Sequence, residues 1–259
     1  MRTVVSALFA CLLVAGCAST VSFPSLDGRL RVVGKLHRPD RGVERMPAVV
    51  LLAPCYGVAP FMKGWAEWLK SRGYVALLVD SFAPRGIREA CLGPPPTVEE
   101  VMQDAVAGVD YLKSLPFVDA DRVAVMGWSH GASAALEVDT FRRQNGLPGL
   151  KSVIAFYPGC DDLHPDLETP TLLLLAERDD WTPSGACLSL GEAMVREGKP
   201  IKWRLYEGAT HSFDEPDSFA RREDGPVNAR EYLGHELYYD PRATRSAHAL
   251  VRRFLAEHL

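Results

Sequence analysis

The sequence predicts an α/β domain with a mostly parallel central sheet that is flanked by helices. Short apolar runs of strand length alternate with longer segments that have helical periodicity. Several runs are continuous rather than alternating, as is typical of strands covered on both faces. Polar and small residues follow the ends of these runs, and the carboxyl ends of parallel strands are where such sheets bind ligands.

The composition is that of an ordinary globular protein. The chain has 259 residues, of which 47% are hydrophobic and 24% are charged. No linker rich in glycine, serine or proline separates two cores, so one large domain is expected. The formal net charge of −4 argues against nucleic acid as a partner, because nucleic-acid-binding proteins present a basic face.

The N-terminal segment, residues 1–16, is predicted to be a signal peptide of the lipoprotein type. A positively charged start, Met1-Arg2, precedes an apolar stretch that is shorter than the roughly 20 residues needed to span a bilayer. The stretch ends in Leu13-Val14-Ala15-Gly16-Cys17, which resembles the lipobox of bacterial lipoproteins. The resemblance implies export to the bacterial cell envelope and a lipid anchor on Cys17. Ala18 implies an outer-membrane position facing the periplasm. Ordinary signal-peptidase cleavage nearby and an uncleaved anchor are the alternatives.

The first part of the mature chain is expected to hold three strands and a helix. Residues 17–28 precede the first apolar run and are expected to form a tether, so that the folded domain covers 29–259. Apolar runs predict an edge strand and then two buried strands, over 30–36, 48–53 and 74–79. Between the two buried strands, residues 61–71 are predicted to form a helix that ends at Arg72-Gly73.

Helices and strands continue to alternate through the rest of the chain. Thr97 and Glu100 form a capping box, which opens a helix with apolar residues at helical spacing. Four further apolar runs predict strands over 123–128, 152–157, 171–176 and 201–206. Proline in the first turn predicts the starts of two more helices, at Thr182-Pro183 and at Asp240-Pro241, the second of which runs to the chain end.

The junction after the 123–128 strand carries the most specific chemical signal. Gly127-Trp128-Ser129-His130-Gly131 has the Gly-x-Ser-x-Gly pattern between a buried strand and a helix start rich in small residues. This pattern predicts a nucleophile elbow, a strained turn that exposes the hydroxyl of Ser129 above the sheet. So tight a turn leaves no room for side chains at Gly127 and Gly131. A serine that only shapes the turn is the alternative.

An acid and a histidine follow later strands. Asp179 and Asp180 lie just past the 171–176 strand, and His211 lies past the 201–206 strand. The order Ser, Asp, His is that of α/β-hydrolases. A serine hydroxyl is a weak nucleophile, so a base must take its proton, and a carboxylate must orient that base and stabilise its charged form. From position alone, either aspartate can be the acid.

Backbone N–H groups must also stabilise the negative charge that develops on the substrate oxygen. One donor is expected from His130, the residue after the serine, whose ring should point away from Ser129. The other is expected from the loop after the 48–53 strand. Since Pro54 has no N–H group, Cys55 is the predicted donor.

Export would place the remaining cysteines in an oxidising compartment. Four cysteines lie outside the predicted signal and the lipidation site, and they allow three pairings. We favour disulfides Cys55–Cys91 and Cys160–Cys187, because each would join neighbouring loops at one edge of the sheet. Buried free thiols are the alternative.

The sequence resembles the dienelactone hydrolase family of α/β-hydrolases over about residues 30–258. The resemblance is carried by six segments: 54–58, 80–86, 127–131, 156–159, 177–183 and 208–213. In the family the acid lies four residues before a proline. With Pro183 as that proline, the resemblance selects Asp179, and it matches the family's histidine to His211. It implies hydrolysis of a small ester or lactone through an acyl-enzyme.

The chain departs from the family in two respects. The founding members use a cysteine nucleophile, where this chain has Ser129. They also bind the substrate carboxylate with arginines, and no second arginine of this kind can be assigned in this sequence. Arg85 lies near one such position and is assigned to substrate binding, with a structural salt bridge as the alternative. Dienelactone itself is therefore not implied. Four aromatic residues are expected to line an apolar pocket, although all could serve packing instead: Tyr56, Phe82, Trp128 and Trp181.

The leading prediction is a serine esterase or lactonase that acts on small acyl substrates. A peptidase or amidase on the same triad and a non-catalytic envelope lipoprotein that binds a ligand are the alternatives. No metal-ligand spacing, dinucleotide fingerprint or P-loop is present, so no cofactor and no metal are expected. A monomer is expected. The long polar segment 214–239 is interpreted as a candidate partial lid.

Overall fold

The computed structural model describes residues 18–40, 45–93, 96–161, 163, 166–216 and 229–259. Within these ranges eight strands form one sheet in the order β1-β2-β4-β3-β5-β6-β7-β8. Their bounds are β1 Ser19–Pro24, β2 Arg31–His37, β3 Met46–Leu52, β4 Val75–Asp80, β5 Val118–Trp128, β6 Ser152–Phe156, β7 Thr171–Ala176 and β8 Ile201–Tyr206. The strands from β4 to β8 in this order are parallel, while β2 runs antiparallel to β4 and to β1.

Five α-helices accompany the sheet in the described residues. They are α1 Pro60–Lys70, α2 Val98–Ser114, α3 His130–Gln144, α4 Ser184–Arg196 and α5 Pro241–His258. Helices α2, α3 and α4 pack in the hydrophobic cluster on one face, and α1 and α5 in the cluster on the other. The predicted fold class, an α/β-hydrolase fold with a mostly parallel sheet between helices, is confirmed. None of these helices has both the length and the apolar character that crossing a membrane requires.

The strands show why continuous apolar runs are needed. Along β3, Ala48, Val50 and Leu52 point into the cluster with α2 and α3, and Val49 and Leu51 point into the cluster with α1 and α5. Since successive side chains of a strand point to opposite faces, both sets must be apolar when both faces are covered. The rigid sheet that results fixes the positions of the loops at its edges.

Capping fixes several helix starts where the sequence predicts them. The Thr97 hydroxyl accepts a hydrogen bond from Glu100 N, and the Glu100 carboxylate accepts one from Thr97 N at 2.8 Å, which confirms the capping box. Asp240 Oδ1 accepts hydrogen bonds from the backbone N–H groups of Arg242 and Ala243 at the start of α5. Each such cap is worth about 1 kcal/mol of stability.

The predicted tether over residues 17–28 is wrong for residues 19–24, which form the edge strand β1. It pairs with β2 from Ser19 opposite Leu36 to Pro24 opposite Arg31. Phe23 is 3% exposed because its ring packs in the core on Tyr111, with ring centroids 5.0 Å apart. The strand predicted over 30–36 is therefore internal rather than an edge. Cys17 lies outside the described residues.

A short hairpin that the sequence analysis did not predict lies within the segment interpreted as a candidate lid. It consists of β9 Ala229–Tyr232 and β10 His235–Tyr238. Its two-residue turn, Leu233-Gly234, has positive φ at both positions, 52° and 87°. Positive φ at both central residues is the requirement of a type I′ hairpin turn. Residues 217–228 of this segment are outside the described ranges.

Candidate active site

Ser129 lies at the sharp turn between β5 and α3. Its backbone has φ 51° and ψ −118°, a region that non-glycine residues rarely adopt. A Cβ atom on Gly127 would lie 2.2 Å from the carbonyl oxygen of Gly131, and one on Gly131 would lie 2.4 Å from that of Ala53. The turn is thus packed backbone against backbone, and both glycines are required.

Two hydrogen bonds connect Ser129 to the loops after β7 and β8. His211 Nε2 lies 2.9 Å from Ser129 Oγ, and His211 Nδ1 lies 2.8 Å from Asp179 Oδ2. All three residues are buried, with at most 6% of their surface exposed. This arrangement places a base beside the hydroxyl and a carboxylate behind the base, as nucleophilic catalysis by serine requires.

The Asp179 carboxylate is held by its own loop. Its Oδ1 atom accepts hydrogen bonds from Trp181 N at 3.0 Å and from Thr182 N at 2.8 Å. The Thr182 hydroxyl lies 3.1 Å from Asp179 Oδ2, from the carbonyl oxygen of Tyr157 and from His211 Nδ1. From the sequence, Thr182 was expected only to start a helix, and this contact was not predicted. Its position three residues after the acid was the available signal.

The structure brings Asp179, and not Asp180, to the histidine. Asp180 Oδ1 lies 3.4 Å from His235 Nδ1 of β10 instead. Trp181 stacks on His235 with ring centroids 4.7 Å apart and an interplanar angle of 12°. Asp180 and Trp181 therefore attach the hairpin to the loop that carries Asp179.

The two predicted oxyanion donors lie beside the serine. Cys55 and His130 line the same cleft as Ser129. His130 is the first residue of α3, and the N–H groups of a helix's first turn have no partner inside the helix. The His130 ring bonds the carbonyl oxygen of Pro96 through Nε2 at 2.9 Å, as the expected outward orientation requires, and burial lowers its pKa. The donor roles themselves stay predictions.

Both favoured disulfides are present, and both lie at the catalytic edge of the sheet. Cys55–Cys91 joins residues 36 positions apart, and Cys160–Cys187 joins residues 27 positions apart. The first lines the cleft directly. The backbone of its loop is also held by a hydrogen bond from Ala90 N to the carbonyl oxygen of Cys55 at 2.6 Å. The loop that carries the predicted oxyanion donor is thereby fixed twice.

The cleft above Ser129 has a volume of about 290 Å³. Its walls are mostly small or apolar and are formed by Cys55, Ala90, Cys91, Val98, Ser129, His130, Ser133, Gly159, Asp161, Leu163, Trp181 and Thr182. Trp181 is thus one predicted pocket residue that the structure places at the cleft. In the described residues, no group of three or more His, Cys, Asp or Glu side chains could hold a metal ion.

The pocket assignment of the other three aromatic residues is wrong. Trp128 is 0% exposed and Phe82 is 2% exposed, because both pack in the core on the face of α1 and α5. The indole N–H of Trp128 donates to Asp214 Oδ2 at 3.0 Å. Tyr56 packs against the same cluster, and its hydroxyl donates to the Glu215 carboxylate. Their large apolar surfaces are used for packing rather than for substrate.

The assignment of Arg85 to substrate binding is also wrong. Its Nη1 atom donates to Asp104 Oδ2 and to the carbonyl oxygen of Ser81, each at 2.7 Å, and its Nη2 atom donates to Asp104 Oδ1 at 3.3 Å. Burial raises the pKa of the Asp104 carboxyl, and the hydrogen bonds from Arg85 oppose that rise. A buried carboxylate without its partner is costly, so the guanidinium is committed to the fold.

A buried acid cluster that the sequence analysis missed begins three residues after His211. Asp214 Oδ2 accepts hydrogen bonds from the indole N–H groups of Trp65 at 2.9 Å and Trp128 at 3.0 Å. Asp214 Oδ1 accepts one from the Tyr157 hydroxyl at 2.7 Å, which also lies 3.2 Å from Glu215 Oε1. The cluster connects the histidine loop to α1, to β5 and to the residue that follows β6. It fixes the loop on which His211 lies.

Burial dominates the electrostatics of this cluster. It raises the pKa of the Asp214 carboxyl, while the hydrogen bonds from Tyr157, Trp128 and Trp65 favour the charged form. The pKa of the Tyr157 hydroxyl is raised well above its ordinary value by burial first and by the charges of Asp214 and Glu215 second. Tyr157 therefore stays neutral, with its ring centroid 4.6 Å from that of His211.

Comparison with known proteins identifies the family of this chain. A family model described as the dienelactone hydrolase family matches residues 32–259. The carboxymethylenebutenolidase of Pseudomonas sp. (strain P51) is 34% identical over 238 residues, which are 85% of this chain and 87% of the relative. A Bradyrhizobium sp. protein named "Probable 2-oxo-3-(5-oxofuran-2-ylidene)propanoate lactonase" is 26% identical over 215 residues, 75% of this chain and 83% of the relative.

A solved structure supports the fold. A dienelactone hydrolase-like promiscuous phosphotriesterase from metagenomic libraries superposes with a TM-score of 0.71 at 20% identity, covering 94% of this chain and 99% of that one. The family model and the Pseudomonas relative confirm the predicted resemblance over nearly all of the described domain.

Proposed function

Because this chain belongs to the dienelactone hydrolase family and is a hydrolase of esters or lactones, we propose that it works as a serine hydrolase through Ser129, His211 and Asp179. The observation that carries the proposal is the unbroken pair of hydrogen bonds from Ser129 Oγ to His211 Nε2, at 2.9 Å, and from His211 Nδ1 to Asp179 Oδ2, at 2.8 Å. The family's founding cysteine nucleophile is replaced here by a hydroxyl, which depends on that base.

The proposed reaction has two steps. The Ser129 oxygen attacks the substrate carbonyl while its proton passes to His211 Nε2, and the resulting oxyanion accepts hydrogen bonds from the N–H groups of Cys55 and His130. The carbon–oxygen bond to the alcohol breaks as His211 returns the proton to the leaving oxygen, which gives an acyl-enzyme. Water then attacks the acyl-enzyme while His211 takes its proton. His211 passes that proton to the departing Ser129 oxygen, which releases the carboxylic acid and free Ser129.

The test is turnover of p-nitrophenyl acetate and butyrate by the chain and by its Ser129→Ala variant. We expect turnover by the first and a rate equal to the spontaneous one for the second. A fluorophosphonate probe should label the peptide that contains Ser129. Ser133 lies in the same cleft, where its hydroxyl donates to the carbonyl oxygen of Gly159 at 2.9 Å, so Ser133→Ala is the matched control and should still be labelled.

The same experiment separates the alternatives. Hydrolysis of p-nitroanilides at rates similar to those of the esters would replace the esterase with an amidase or peptidase. A folded protein without turnover and without labelling would contradict the serine mechanism and favour a ligand-binding role.

We further propose that the protein is exported and anchored in the outer membrane through lipid on Cys17, facing the periplasm, and that it is a monomer. The lipobox-like sequence and the two disulfides support this location. In a Gram-negative host an alkyne fatty acid should label the chain but not its Cys17→Ser variant. Light scattering should give the mass of one chain. Labelling of the Cys17→Ser variant would contradict the lipid anchor on Cys17. A dimeric mass would contradict the monomer.

A further inference from the structure

In the part of the chain that the structure describes, the walls of the cleft hold no lysine or arginine that would bind a substrate carboxylate. Arg85 is held by Asp104 and by the carbonyl oxygen of Ser81, with a third group, the Glu100 carboxylate, 3.7 Å from its Nε atom. Its side chain is only 13% exposed. Freeing the guanidinium for substrate would leave Asp104 buried without its partner, so the site cannot use Arg85 in this way.

Asp161 is the one acidic residue in the described walls of the cleft. His130 also lines the cleft, but burial lowers its pKa, which favours the neutral ring. Asp161 follows Cys160 directly, so the Cys160–Cys187 disulfide fixes the backbone that carries it. The Asp161 side chain is exposed to solvent, and it lies on a wall of the cleft whose backbone is fixed.

The remaining walls offer little to replace the water around an ionic substrate group. Val98, Leu163 and Trp181 are apolar there, and the Ser133 hydroxyl already bonds the backbone of Gly159. A substrate carboxylate would lose hydration without gaining donors, and it would be repelled by Asp161. An uncharged substrate group is not repelled by Asp161, and a cationic group is attracted to it.

We propose that the cleft selects esters whose acyl group is neutral or cationic, and that Asp161 is the specificity-determining residue that disfavours anionic acyl groups. The inference rests on the proposed esterase function and names the substrate class of the same site. This selectivity would distinguish the chain from an enzyme that recognises a lactone by the carboxylate that the lactone carries.

The test uses three p-nitrophenyl esters of similar shape with the full chain. They are the neutral 5,5-dimethylhexanoate, its cationic isostere 4-(trimethylammonio)butanoate and the anionic glutarate monoester. Each kcat/KM is corrected for spontaneous hydrolysis and divided by the hydroxide-catalysed rate of that ester. We expect the anionic ester to fall about tenfold or more below the neutral one, with the gap narrowing at high salt.

Two variants then locate the cause. Asp161→Asn should raise the anionic-to-neutral ratio of kcat/KM by about three- to tenfold and lower the cationic-to-neutral ratio. Asp121→Asn is the matched control. Asp121 is an exposed aspartate in the first half of β5, whereas the active-site turn follows the last residue of that strand, Trp128. It should leave both ratios unchanged. Thermal unfolding checks that both variants fold.

The outcomes are distinct. An anionic ester that is hydrolysed as well as the neutral one overturns the proposal, and discrimination that survives Asp161→Asn overturns the role of Asp161. Absence of any turnover that depends on Ser129 contradicts the esterase function itself. The dependence of turnover on Ser129 is measured with the neutral ester alone, so the two failures can be distinguished.

Discussion

Asp179 and Asp214 are two buried aspartates on loops that follow neighbouring strands, β7 and β8, yet their surroundings differ. Asp179 accepts from the His211 ring at 2.8 Å, and the proposed mechanism would place a positive charge on that ring. Asp214 accepts from two indoles and a phenol, which all stay neutral. The donors around a buried carboxylate, rather than its burial, decide whether it can support a charge that appears during the reaction.

The same comparison distinguishes a carboxylate that is placed for the proposed reaction from one that stabilises the fold. The Asp179 loop holds its carboxylate with two backbone N–H groups, so that the free lone pairs of Oδ2 are aimed at His211. The donors around Asp214 come from three different elements, and its carboxylate binds them together. We expect removal of the first carboxylate to reduce the rate, and removal of the second to reduce the stability.

The largest expected effect is that of Asp179→Asn. The amide cannot hold His211 in the same tautomer or stabilise its charged form, so kcat should fall by about 10³ to 10⁴ with the fold intact. Steady-state kinetics and circular dichroism measure the two quantities. Asp180→Asn, next to it in sequence, is the matched control and should retain most of the activity. A similar loss in both variants would contradict the assignment of the acid.

Asp214→Asn should have the reverse profile. Its amide NH₂ can donate to the Tyr157 hydroxyl only if that hydroxyl turns its own donor to Glu215, and the two indole N–H groups lose a charged acceptor, so the free energy of unfolding should fall by about 1–3 kcal/mol. Denaturant titration measures this change. The loss of kcat should be far smaller than for Asp179→Asn. An Asp214→Asn enzyme that is stable but inactive would mean that the acid cluster takes part in the chemistry.

The smallest effect concerns pH and His248, which stacks on Trp65 at 3.8 Å between ring centroids. Burial first, and the charge of Arg72 second, lower the pKa of His248 from 6.5 to about 4. Between these values the unfolded chain binds a proton that the folded chain does not, so stability falls as the pH drops from 6.5 to about 4. His248→Gln should show a shallower fall over that window in chemical denaturation. If stability fell equally with pH in the chain and in the His248→Gln variant, His248 would not be the cause of the fall.

Features that depend on neighbouring residues in the sequence could be predicted from it. The apolar runs gave the parallel strands, and the spacing after each run placed Ser129, the pair Asp179 and Asp180, and His211 at one edge. The choice of Asp179 over Asp180 came from the family resemblance. The contacts of Asp214 could not be predicted, because its donors lie 149, 86 and 57 positions away. Arg85 was misassigned for the same reason, since its partner Asp104 is on a different element.

The position of β1 has a consequence for how an anchored enzyme would be presented. Two antiparallel pairings make β1 run in the same direction as β4, so Ser19 lies at the edge of the sheet where the parallel strands begin. Ser129, Asp179 and His211 follow the strand ends at the opposite edge. An attachment at Cys17, two residues before Ser19, has a reach of only about 7 Å. It would therefore hold the mouth of the cleft away from the bilayer and open to esters dissolved in the surrounding fluid.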